Sequence, residues 1–266
     1  NKRALLKGQQ MYLTFLKLRV LFLLGAFLSN PSLIYADTTD QYYTRGFDEY
    51  RNGHYPQAIA SFSQAIEINS RDTNAYYGRG LAYMRQEAYT QSIADFTQVI
   101  RMNPGNEGAY FSRGLAYRSQ GNQKEAIADF TKAIEINPTM ATVYSSRGQS
   151  YLLHGNYNKA IDDFVQAIAI DPKIVTEVNP KLAEAYYKRA FAYDEQSNIS
   201  QAISDYTKSI EINPDFAGAF NNRAVDHFLL QEYDKAWDDV RATEELGQAV
   251  NPEFLQALKQ ASGRER

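Results

Sequence analysis

The chain has 266 residues, 44% of them hydrophobic and 22% charged, a balance that supports a buried core and excludes a disordered polymer. Its formal charge is -3, yet residues 1–36 hold five bases (Lys2, Arg3, Lys7, Lys17, Arg19) and no acid, so the rest of the chain is more acidic than that figure. An acidic body without a basic run argues against nucleic acid and anionic lipid as partners, leaves a basic protein open, and the absence of cysteine removes disulfides, thiolate metal sites and cysteine nucleophiles.

Residues 1–10 contain no methionine and are taken to lie upstream of a start at Met11. From there Lys17 and Arg19 precede an apolar run, Val20 to Leu28, followed by Asn30, Pro31 and Ala36, the layout of a signal peptide over 11–36 with cleavage after Ala36. The run of nine is shorter than the ~20 residues of a bilayer span. An uncleaved anchor and a buried first helix are the alternatives, and the lack of a cysteine after the run removes a lipoprotein. The expected destination is the bacterial periplasm or the exterior.

Past Ala36 the chain repeats itself with a period of 34. Gly46, Gly80, Gly114 and Gly148 are each preceded by arginine, and the frame resumes at Arg189-Ala190 and Arg223-Ala224. Six units follow: 39–72, 73–106, 107–140 and 141–174, then, after an insertion at 175–182, 183–216 and 217–250. An aromatic stands four residues before the Gly or Ala, and a second often three after it (Tyr83, Tyr117, Tyr151, Tyr193), a spacing that predicts one face of a first helix. A break at Gly53, Glu87, Gly121, Gly155, Ser197 or Gln231 precedes a second amphipathic helix carrying sets such as Ala58, Phe62 and Ala65. Asn-Pro or Asp-Pro at Pro104, Pro138, Pro172 and Pro214 closes units, since proline cannot continue the helix. The insertion, ending near Asn179-Pro180, is expected to lengthen a connection, and Pro252 opens a short amphipathic segment, 252–262, read as a capping helix.

These positions closely resemble the tetratricopeptide repeat family over residues 39–250, with small residues at 8, 20 and 27 of each unit and aromatics at 4, 11 and 24. The resemblance implies an all-α, right-handed superhelix of six helix-turn-helix units whose first helices line a concave side. The terminal units depart from it, with Glu49, Ser70, His227 and Val240 at signature positions.

Arginine at position 7 is matched by aspartate at 23 in five units, Arg79–Asp95, Arg113–Asp129, Arg147–Asp163, Arg189–Asp205 and Arg223–Asp239, while the first unit has Ser61. A structural ladder and a site for a ligand carboxylate are both open, and recurrence in every unit favours architecture. His54, His154 and His227 have no metal-ligand spacing, Asp162-Asp163 and Asp238-Asp239 point about 100° apart on a helix, and phosphate-loop, nucleophile-elbow and zincin motifs are absent. No catalysis, cofactor or metal is expected.

Function then falls to the surface. The resemblance implies peptide docking against positions 2, 5, 9, 12 and 13 of the first helices, here Tyr43, Phe47, Tyr50, Tyr77, Leu81, Met84, Phe111, Leu115, Tyr187 and Phe191, rimmed by Arg51, Arg85 and Arg118. Packing between neighbouring helices is the alternative for each. The carboxylate clamp of chaperone-binding members is absent: Tyr43, Phe47, Gly78, Gly108 and Ser112 fill that window, and Lys188 and Asn222 lack their partners. The sequence favours an adaptor binding a polypeptide, with an envelope-assembly role. A recognition subunit of a separate enzyme is the second reading, and end-to-end stacking is disfavoured by the cap.

Overall fold

The computed structural model describes residues 31–264; the basic residues and apolar run of the predicted signal segment lie outside them, and Ala36 falls within the first helix. The fold is all-α, with thirteen helices among the described residues. The chain forms two compact bodies that divide after Pro104. The first holds α1 (Pro31–Arg51), α2 (Tyr55–Ile68), α3 (Thr73–Arg85) and α4 (Tyr89–Met102). The second holds α5 (Glu107–Ser119), α6 (Gln123–Ile136), α7 (Ala141–Leu153), α8 (Tyr157–Ile170), α9 (Val175–Glu195), α10 (Ile199–Ile212), α11 (Ala217–Leu229), α12 (Tyr233–Glu245) and α13 (Pro252–Ser262). Consecutive helices pair as α1–α2, α3–α4, α5–α6, α7–α8, α9–α10 and α11–α12, and within each body every pair packs on the next. No described helix is long and apolar enough to cross a membrane.

Short polar residues begin several helices. Asp72 accepts from the N–H groups of Asn74 and Ala75, Asn106 from that of Ala109, and Asn251 from those of Glu253 and Phe254. The second helices end on Asn103, Asn137, Asp171 and Asn213 with φ between -131 and -137° and ψ between 89 and 96°, the extended geometry that the following proline imposes. Between the two helices of each pair, position 15 of the unit is left-handed throughout: Gly53, Gly121 and Gly155 lie at φ of 78 to 83°, and Glu87, Ser197 and Gln231 at 59 to 62°.

The core forms where the helices of a pair meet. Phe62, Phe96, Phe130 and Phe164 are buried, as are Ala58, Ala65, Ala126, Ala133, Ala160 and Ala167 on the same faces. A Cβ added to Gly46, Gly80, Gly114 or Gly148 would stand 2.9, 2.9, 2.7 or 2.9 Å from the ring of its own unit's phenylalanine. At the far end Leu258 of α13 is fully buried against Trp237, Val240 and Val250, with Phe254 edge-on to Phe228 at 5.7 Å.

The insertion is not a longer loop. After one 3-10 turn (Pro172–Ile174) residues 175–182 are helical and extend the first helix of the fifth unit backwards, so that α9 runs 21 residues with Pro180 inside it. Val178, Leu182 and Ala185 continue its apolar stripe into the cluster of Leu152, Ile161 and Phe164. That burial outweighs the single backbone bond that an exposed proline in the second turn removes.

A left-handed turn penalises a residue that carries a Cβ by about 1 kcal/mol. Glu87→Gly, Ser197→Gly and Gln231→Gly are each expected to raise the midpoint of urea unfolding by about that stability, and Gly121→Ala to lower it by a similar amount.

Candidate functional site

The position-7 arginines are held on three sides. In every unit from the second on, Nε and Nη2 donate to both oxygens of the position-23 aspartate at 2.6–2.8 Å. The guanidinium lies over the rings at positions 4 and 11: Arg79 sits 5.5 Å from Tyr76 and 5.9 Å from Tyr83, and Arg147 5.6 Å from Tyr144 and 5.9 Å from Tyr151. Its remaining Nη1 reaches the preceding unit, Arg79 to Ser63 (3.0 Å), Arg147 to Thr131 (3.1 Å), Arg223 to Thr207 (2.9 Å) and Arg189 to Asn158 (2.7 Å). The aspartates are buried, so this geometry is what makes their charge tolerable. Fully engaged in this way, these arginines serve architecture and offer no fork to a ligand carboxylate. In the first unit Glu49 receives both Arg45 (3.0 Å) and Ser61 (2.7 Å), so the two departures compensate one another.

The expected docking residues divide by depth. At position 5 the rings are rooted on the core: Tyr43 on Phe62 (5.8 Å), Tyr77 on Phe96 (5.4 Å), Phe111 on Phe130 (5.9 Å) and Tyr187 on Tyr206 (5.7 Å), each half-buried. Leu81, Met84 and Leu115 are half-buried too, and the Tyr50 hydroxyl accepts from Arg85 at 3.2 Å. Position 9 is different. Phe47 is 45% and Phe191 50% exposed, and they are the exposed phenylalanines among the described residues. Phe47 stacks on Tyr43 at 6.4 Å with Arg51 5.9 Å from its ring. Arg118 does not belong to a charged rim: it is half-buried, donates to Gln149 at 2.8 Å, and burial lowers its pKa.

One polar cluster went unnoticed in the sequence. Tyr206 of α10 donates from its hydroxyl to Asp194 of α9 at 2.6 Å, and Asn222 of α11 donates to the hydroxyls of Tyr187 (3.2 Å) and Tyr206 (3.3 Å). The Asp226 carboxyl of α11 lies within hydrogen-bonding reach of that of Asp194. Asp226 is 3% exposed; burial, then the neighbouring charge and bond of Asp194, push its pKa up to about 8, while burial raises that of Asp194 and, with the Asp194 bond, keeps the Tyr206 hydroxyl protonated. One proton is therefore shared between two carboxyls at neutral pH. The legible signal was departure from the repeat itself: position 12 is Tyr50, Met84, Arg118, Leu152 and Phe228 elsewhere, and position 10 is Ala82, Ala116, Ser150 and Ala192 in the second to fifth units.

Comparison with known proteins agrees with this geometry. A family model described as TPR repeat matches residues 46–87 and 114–155, and one described as tetratricopeptide repeat matches 73–106, 141–174 and 183–216, together more than half of the chain. Among solved structures the chain is similar to YrrB, described as a TPR protein with an unusual peptide-binding site (TM-score 0.54, 23% identity, 67% of this chain and 88% of that one). It is similar also to MamA (TM-score 0.56, 21% identity, 69% and 96%) and to MamA from residue 41 onward of Desulfovibrio magneticus RS-1 (TM-score 0.55, 18% identity, 68% and 97%). At these identities the likeness establishes the fold alone. No curated protein matches it in sequence.

Because Asp226 holds its proton more tightly folded than unfolded, that contribution to stability is complete below about pH 4 and is lost as pH rises toward 8. Asp226→Asn, neutral throughout, is expected to flatten the decline and to exceed the parent chain in stability by a few kcal/mol at alkaline pH, counting about 1.4 kcal/mol per pH unit of retained proton. Urea unfolding followed by circular dichroism from about pH 4 to about pH 9 checks it.

Proposed function

The chain belongs to the tetratricopeptide repeat family, a protein-interaction fold, and from that premise we propose that it is a non-enzymatic adaptor that binds a polypeptide segment on the faces of its first helices. The observation that carries the reading is the exposure of Phe47 and Phe191 at the same unit position, where every other described phenylalanine is covered or half-covered. Large apolar side chains left in water at a repeated position serve as anchors for a partner. Phe47 stacks on Tyr43, a ring fixed on the core, and Phe191 stands one turn along its helix from the similarly fixed Tyr187, so little side-chain freedom is lost on contact. That YrrB, of the same fold, is described as having a peptide-binding site is in keeping with this use. The perturbed carboxyls among the described residues share a proton with each other beneath the surface.

The basic residues and apolar run ahead of the repeats support export, and on that ground the adaptor works in the cell envelope, holding components of an assembly together.

Binding is tested with a displayed random-peptide library selected on the full chain. Enriched peptides are expected to carry apolar anchors and to lose about tenfold or more in affinity for Phe47→Ser/Phe191→Ser while its circular dichroism is unchanged; retained affinity in the folded variant defeats the reading. Export is tested by mass spectrometry of the chain from its native host, where a mature N-terminus at Asp37 is expected and an intact Met11 overturns cleavage.

A further inference from the structure

Among the described residues the aspartates with buried carboxyl oxygens come in two kinds. Those at position 23 each own an arginine that takes both oxygens. Asp194 and Asp226 own none: among the described residues no lysine, arginine or histidine forms an ion pair with either. Asp194 Oδ1 and Asp226 Oδ2 are buried without a donor, and Asp226 is 3% exposed. A chain that elsewhere neutralises each buried carboxylate here places two together and supplies no cation.

Four substitutions of the repeat's own pattern converge on the spot. Position 24 changes from phenylalanine to Tyr206, position 12 to Asp194, position 6 of the next unit to Asn222 and position 10 to Asp226. Together they make a connected set in which Tyr206, held by Asn222, orients the carboxyl of Asp194. Asp194 stays half-buried and lies one turn from the exposed Phe191 on the same side of α9, so the cluster lies just beneath a docking residue.

We propose that Asp194 and Asp226 form the acceptor for one cationic side chain, lysine or arginine, carried by the polypeptide that docks beside Phe191. The inference rests on the reading of that face as a docking surface. In the free protein the shared proton leaves the pair one negative charge instead of two, which burial tolerates better. An arriving ammonium or guanidinium donates to the two carboxylates, and the proton they shared passes to solvent, so one cation enters as one proton leaves. Tyr206 keeps its proton and continues to donate to Asp194. Affinity must then rise with pH, by up to about tenfold per unit between about pH 6 and about pH 8, because the cation competes with that proton. The carboxyls that face each other here are Asp194 and Asp226, with the Tyr206 hydroxyl from α10 and, through Asn222, the Tyr187 hydroxyl of α9.

The experiment uses the full chain labelled with carbon-13 in its aspartate carboxyls and three small probes: Nα-acetyl-lysine methylamide, Nα-acetyl-arginine methylamide and the neutral Nα-acetyl-norleucine methylamide. Saturable shifts of the Asp194 and Asp226 signals with the lysine or arginine probe, none with norleucine, and tightening as pH rises are expected. Asp226→Asn should weaken binding about tenfold or more and remove the pH slope. Asp226→Ala, which restores the residue of the second, third and fifth units, should do the same in a folded chain. Equal shifts with norleucine, no saturable shift with either cation, or affinity unaffected by both variants overturns the proposal. Displacement of the lysine and arginine probes by millimolar calcium or magnesium, with tighter binding of the metal, overturns it in favour of a metal site. Because no polypeptide is present, failure here leaves the Phe47 and Phe191 result untouched, and failure there leaves this one readable.

Discussion

The interaction on which the structure depends is the seating of a phenylalanine ring on a glycine of the facing helix. At 2.7–2.9 Å from a would-be Cβ, the rings of Phe62, Phe96, Phe130 and Phe164 occupy the volume that any side chain at Gly46, Gly80, Gly114 or Gly148 would need. Phe62 is closed in from the next unit as well, 2.6 Å from the Cβ that Gly78 lacks. Helix separation is thereby set by a ring thickness and is equal in those four units. Where alanine replaces the glycine, at Ala190 and Ala224, the opposing residue is no longer phenylalanine but Tyr206 and Val240. Tyr206 is the consequential case, since its hydroxyl reaches Asp194 and so makes a polar cluster possible at a place where the other units are dry.

The ion pairs repeat in the second to sixth units, including the two where alanine replaces the glycine. A bidentate bridge between residues sixteen apart on antiparallel helices tolerates little variation, and five units meet it within 0.2 Å of one another. Aromatic rings lie on both sides of the guanidinium in the second to fifth units and on one side in the sixth, and the third donor ties most of these arginines to the unit before. A bridge of this kind adds modest net stability but penalises any register other than the native one, because a slipped helix would leave aspartate buried alone. Ring and glycine therefore fix distance while arginine and aspartate fix register.

How far this was legible follows from the same division. Whatever recurs at a fixed period could be read from the sequence, because six copies average out the accidents of each: the helices, the proline stops, the pairing of positions 7 and 23 and the terminal helix that covers Trp237 all fall in that class. The aromatics at 4 and 11 were legible as one face of the first helix, since spacing reports a shared face but not the charge lying between two rings. The insertion was obscured by Asn179-Pro180, a pair that ends helices elsewhere in the chain, whereas burial of Val178 and Leu182 decides otherwise. The docking face was legible as a set of positions and not as depths: only packing distinguishes Tyr77, held on Phe96, from Phe191, left in water. Asp194 and Asp226 were hidden because they belong to different units and different repeat positions, so no single-unit alignment brings them together.

A repeat array can carry such a departure because its stability is close to a sum of local terms. The cost of burying two carboxyls is confined to the contact of α9, α10 and α11 and does not disturb the ring-on-glycine seats elsewhere. Substituting the residues that other units use, alanine at position 10 and an apolar side chain at 12, would remove that cost at once. The pair is therefore a site where stability is forgone, and its place beside an exposed phenylalanine links the loss to binding rather than to folding. Singly charged when empty and fully ionised when a cation is present, the same two carboxyls keep one net negative charge in the free and bound states, which a fixed internal ion pair, like those at position 23, cannot do.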